Sequence, residues 1–130
     1  MKIKFIFILL VWSGISNHVK AQVNYDTLLT GSWKGSSICQ VKNSPCHDET
    51  VVFYISKKAG IDTFYINGNK IVNGVEEEMG ILPFTLNGKT NQLISTSYGL
   101  WTFIIKQRKI EGTLVSKGAL YRIINLTKQN

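Results

Sequence analysis

Beyond residue 21 no segment carries sustained helical periodicity, and runs of β-branched and aromatic residues are instead punctuated by glycine and asparagine. Asn67-Gly68, Asn73-Gly74 and Asn87-Gly88 stand between such runs. Both residues of an Asn-Gly pair tolerate the positive φ of a type I′ turn, so each pair is read as a hairpin signal. The runs fall at residues 33–39, 50–57, 63–66 leading through Asn67-Gly68 into 70–72, 80–86, 92–97, 100–106, 110–115 and 119–127, about eight strands. With no crossover helix between them, short connections force antiparallel neighbours. A sheet of that many strands must curl, split or close. The expectation is an all-β chain: a single antiparallel up-and-down β-barrel over residues 30–130, with 22–29 as an N-terminal extension. Pro83 cannot donate to a ladder, and is expected at a bulge or at the barrel mouth.

The first 21 residues set the compartment. Met1 to Lys4 is positively charged, residues 5–12 (FIFILLVW) are apolar, and Val19-Lys20-Ala21 supplies a small-residue end. That order is a secretory signal peptide cleaved after Ala21. The apolar run is shorter than the ~20 residues a bilayer span requires, so no membrane span is expected in the mature chain. The expected location is periplasmic or extracellular. The mature chain, residues 22–130, has the length of one domain with one core. The net charge of +7 falls to +4 when Lys2, Lys4 and Lys20 leave with the leader, since all eight acids stay. The two basic clusters, Lys57-Lys58 and residues 106–109 (KQRK), lack the interleaved aromatics of single-strand binders, and no nucleic-acid partner is expected.

The first strand opens on Gly31-Ser32-Trp33. On the last, period-two alternation puts Leu120, Arg122, Ile124 and Leu126 on one face, an apolar row with a single arginine. A charge there needs a partner, and an indole face suits it. The combination resembles the G-x-W opening and last-strand arginine of lipocalin-like (calycin-type) small secreted β-barrels. The resemblance implies that Trp33 plugs the closed end and that Arg122 stacks over it as a barrel-closing pair. The chain is also similar to exported bacterial proteins that carry a C-x-V-K-x-S-x-C-H-D-E segment, here residues 39–49. That second resemblance names no activity.

This same segment holds both cysteines of the chain. In an oxidising compartment the default product of Cys39 and Cys46 is a disulfide. Asn43-Ser44-Pro45 between them is turn chemistry. A metal site would draw on Cys39, Cys46, His47 and Asp48, but adjacent Cys46 and His47 point to opposite faces of an extended chain. The C-x₆-C spacing also lacks the tight knuckle of zinc sites, so no metal is expected. A redox pair wants C-x-x-C at a helix N-terminus, and neither is present. Lys42, His47 and Asp48 remain as candidate contacts on the stapled loop.

No catalytic constellation stands out. His47 is the one histidine beyond the leader, no serine sits in a G-x-S-x-G elbow, and no glycine-rich loop precedes a helix. Glu76-Glu77-Glu78 is read as a solvated turn before a strand, because consecutive residues on extended chain cannot converge on one bond. No cofactor is expected. An eight-stranded barrel interior is filled by side chains or holds one small ligand. Tyr54, Tyr65 and Tyr98, with Trp101 and Phe103, are the candidate ligand-lining residues, supplying rings and hydroxyl handles. The expected function is an exported barrel binding a small apolar or amphipathic molecule. The alternative is a packed barrel serving a protein partner, as an interaction or inhibitor module, through its stapled loop.

Overall fold

Eight strands and one short helix account for the residues described by the computed structural model, 22–130. The signal peptide read in residues 1–21 lies outside them. The order is α1 (Tyr25–Leu29), β1 (Gly31–Cys39), β2 (Glu49–Lys57), β3 (Thr63–Val72), β4 (Val75–Asn87), β5 (Gln92–Ser95), β6 (Leu100–Lys106), β7 (Lys109–Ser116) and β8 (Ala119–Lys128). Each strand pairs antiparallel with its neighbour in sequence, and β1 pairs with β8, so the sheet closes. This is the all-β, up-and-down barrel that the spacing of the runs predicts.

Two details of the turns differ from the sequence reading. Asn73-Gly74 is a true hairpin turn, with both residues at positive φ. Asn67-Gly68 instead lies inside β3, opposite Tyr54 and Phe53 of β2. Gly68 is there for space: a Cβ at that position would come within 3.1 Å of the Phe53 ring. The acidic run also belongs to a strand, because β4 begins at Val75 and carries Glu76, Glu77 and Glu78 into its first half.

One end of the barrel is sealed by α1. Five residues make too little helix to stand alone, so α1 depends on the contacts it makes. Asn24 caps its start by accepting from the Thr27 N–H at 3.2 Å. Its last residue, Leu29, is fully buried, as is Trp33 just inside β1. The Trp33 indole N–H donates to the Leu29 carbonyl at 2.8 Å, which fastens the helix end to the barrel floor. Lys128, at the end of β8, donates to the Thr27 and Leu28 carbonyls at 2.8 and 2.7 Å. Its ammonium also lies 6.0 Å from the centre of the Trp33 ring.

The barrel-closing pair is therefore Trp33 with Lys128, not Trp33 with Arg122. Register explains the correction. Trp33 is opposite Lys128 on β8, whereas Arg122 is opposite Cys39 at the far end of β1. Six residues of strand amount to about 20 Å, well beyond the reach of an arginine.

Candidate ligand-binding cavity

Above the sealed floor the interior is filled mainly by aromatic rings. Phe84 and Phe103 stack with centres 4.9 Å apart, and Phe53 stacks on Phe103 at 6.2 Å. Trp101 meets both Phe84 and Phe103 edge-on. These rings do not fill the barrel to its open end. A cavity of about 360 Å³ lies over Phe53, Phe84, Trp101 and Phe103, between β3, β4 and β6. Its walls add Ile66 and Gly68 from β3 and Met79, Gly80, Ile81 and Leu82 from β4, and Tyr98 stands at its edge. No lining side chain is charged. The Trp101 indole N–H is already used, donating to the Ser97 carbonyl at 2.8 Å. A volume near the low end of the ~300–1,000 Å³ of small-molecule sites, aromatic and uncharged, suits one small apolar molecule.

Of the candidate lining residues, Tyr98, Trp101 and Phe103 border this cavity. Tyr54 and Tyr65 do not. Val51, Phe53 and Ile55 are the buried face of β2, so alternation turns Tyr54 outward, and Phe64 and Ile66 do the same for Tyr65. Both tyrosines border a shallow external groove with Asn67 and Ile81. On that outer face the Tyr54 hydroxyl donates to the Glu76 carboxylate at 2.9 Å, and Asn69 Nδ2 donates to it at 3.0 Å. The Asn69 and Tyr54 hydrogen bonds hold the Glu76 pKa below the ordinary carboxylate range. The same carboxylate raises that of Tyr54.

Sequence reasoning misses the β4 contribution, above all Phe84. Its signal was present in residues 80–86 (GILPFTL), where Leu82, Phe84 and Leu86 share one parity. Nothing in the local pattern says that this parity faces the lumen until β4 is registered against Phe64 of β3.

Polar side chains collar the open end of the barrel. Arg122 points inward there from β8, its side chain only 12% exposed. Its guanidinium donates to the Ser37 carbonyl, the Ser37 hydroxyl and the His47 carbonyl at 3.0–3.2 Å. Its second nitrogen lies 3.6 Å from Glu49 of β2. Lys70 of β3 faces Glu77 of β4 at 3.8 Å. Arginine with an inward parity thus finds a carboxylate and carbonyls as partners, rather than the indole.

Arg122 also braces the loop at residues 40–48. Cys39 and Cys46 form a disulfide with Cα atoms 5.9 Å apart, joining the end of β1 to the approach to β2. Asp48 accepts from the Cys39 N–H at 2.9 Å, so its carboxylate is spent inside the loop. His47 contributes its carbonyl to Arg122, while its side chain and that of Lys42 are exposed. Closing so short a loop is worth about 2–3 kcal/mol in the chain-entropy treatment. The double variant Cys39→Ser/Cys46→Ser is expected to lose that amount in urea unfolding. An unchanged midpoint would mean that Asp48 and Arg122 hold the loop without the bridge.

The sequence matches no protein-family model and no curated protein.

Proposed function

We propose that the protein is an exported, lipocalin-like carrier that holds one small apolar or amphipathic molecule in the cavity over Phe53, Phe84, Trp101 and Phe103. The uncharged, aromatic-lined space of about 360 Å³ inside a closed barrel is the observation that carries the proposal. An aromatic surface left facing water is unfavourable, and an apolar guest that covers it gains both burial and contact. The closed eight-strand order, and a tryptophan and a last-strand cation at the sealed end, support the lipocalin-like assignment. The disulfide is compatible with export. The open cavity favours a carrier over a packed interaction module.

A fluorescent probe tests this directly. N-phenyl-1-naphthylamine, neutral and small enough for the cavity, is expected to bind with one-to-one saturation and to brighten as it leaves water. Leu82→Trp, which fills the cavity from β4, is expected to weaken binding by about tenfold, or roughly 1.4 kcal/mol. Absence of any saturable signal from the wild-type protein overturns the carrier reading.

A further inference from the structure

The cavity touches β4 in an unusual way. Successive residues of a strand point to opposite faces, so a cavity inside a barrel meets every second residue of each wall strand. Here Met79, Gly80, Ile81 and Leu82 all border it in succession. Met79 is the extra residue of a β-bulge, since Gly68 pairs with Gly80 and Asn69 with Glu78, and the bulge brings Met79 alongside Gly80. Outward Ile81 beside inward Leu82 reaches the same space around a free strand edge. The pairing of β4 shows such an edge. β4 runs from Val75 to Asn87, yet it pairs with β5 only through Thr85, Leu86 and Asn87. Residues 75–84 therefore have β3 on one side and, among the described residues, no strand on the other.

Two features keep that edge free. The Leu86 N–H points to the β3 side, where it bonds the Asp62 carbonyl, so alternation directs the backbone positions of Thr85 and Pro83 toward the β5 side. Pro83 has no N–H to continue the β4–β5 ladder. Opposite, the chain leaves β5 at Ser95 and turns through residues 96–99, with Tyr98 and Gly99 at positive φ. Tyr98 borders the cavity and is yet 89% exposed, so the cavity reaches solvent at this turn. Met79 and Ile81, both exposed, make the other lip. The axial end is different in character, with the Arg122–Glu49 and Lys70–Glu77 pairs on its rim.

Charge narrows the ligand. Four basic side chains among the described residues belong to the inward-facing parity, and each is committed. Lys57 pairs with Asp26, Lys70 with Glu77, Arg122 with Glu49, and Lys128 with carbonyls of α1. An anionic head group taken inside would have no free cation to meet it, and burying an unpaired charge is costly.

We infer that the barrel is loaded through its wall, between the unpaired half of β4 and the turn carrying Tyr98, and that it takes a neutral ring-bearing molecule and not a fatty-acid-like anion. This rests on the carrier reading and specifies its ligand class and route.

The experiment uses two probes of one skeleton on the full mature protein. N-phenyl-1-naphthylamine is neutral, and 8-anilinonaphthalene-1-sulfonate adds a permanent negative charge. The neutral probe is expected to bind at least about tenfold more tightly. Stopped-flow association then tests the route with two folded variants. Ile81→Trp narrows the wall opening and is expected to slow association several-fold, whereas Val72→Trp, at the axial rim, leaves it unchanged. If neither probe binds, the carrier reading fails and this inference with it. Should both bind equally, or should Val72→Trp and not Ile81→Trp slow association, the carrier reading stands and this inference is overturned.

Discussion

Trp33→Ala is expected to remove about 3–5 kcal/mol of stability, the usual cost of truncating a buried tryptophan. The loss reaches beyond one side chain. Trp33 is wholly buried, its indole N–H holds the Leu29 carbonyl, and the Lys128 ammonium sits over its ring while binding the two preceding carbonyls. Removing the indole empties the floor, orphans the Leu29 carbonyl and loosens a five-residue helix that has little stability of its own. Urea unfolding followed by far-ultraviolet circular dichroism measures the effect. Trp33→Phe, which keeps a ring but no donor, should fall between the two. A loss below about 1 kcal/mol for the alanine variant would mean that the helix-sealed end is not a centre of stability.

Gly35→Ala should be nearly as damaging, for a different reason. Gly35 shares the inward parity of Trp33 on β1, opposite Leu126 of β8, and a Cβ there would lie 1.7 Å from the Asn125 carbonyl oxygen. The next nearest atoms are also backbone, Asn125 C and Leu126 Cα. No rotamer change relieves such a contact, so the β1–β8 seam must open. Overpacking ordinarily costs about 1–3 kcal/mol, and a clash with main chain belongs at or beyond the top of that range. Because this seam is the one that closes the sheet, amide exchange should rise along β1 and β8 first. Wild-type stability and protection in this variant would contradict the closure geometry.

The architecture was legible because local signals agreed. β-branched runs, short connections and the absence of a crossover helix leave little besides an antiparallel sheet that closes. The parity of the end strands was legible too: Trp33 with Ser37 on β1, and Ile124 with Leu126 on β8, face inward as alternation requires. What the sequence hides is set across strands. Asn67-Gly68 carries a turn signal, but Phe53 on the neighbouring strand claims the space above Gly68, and the chain runs straight through.

Alternation puts Arg122 on the face of Ile124 and Leu126, yet its partner depended on register. β8 continues to Lys128 and puts a different cation over the tryptophan. Leu120 leaves the inward row of β8 because the pairing with β7 slips between Leu114 and Val115, skipping Tyr121. Tyr54 and Tyr65 looked like ligand handles by residue type alone, and alternation turns both outward. The cavity itself owes its shape to the short β5 and the unpaired half of β4. Neither is visible until the strands are registered.

Native mass spectrometry of the mature protein, purified from its own host without denaturation, tests the central claim most directly. The carrier reading predicts a folded monomer with a single adduct of a few hundred daltons that departs on collisional activation, on a chain two hydrogens lighter than its reduced mass. A bare chain that also fails to take up N-phenyl-1-naphthylamine in the same spectrometer would contradict it.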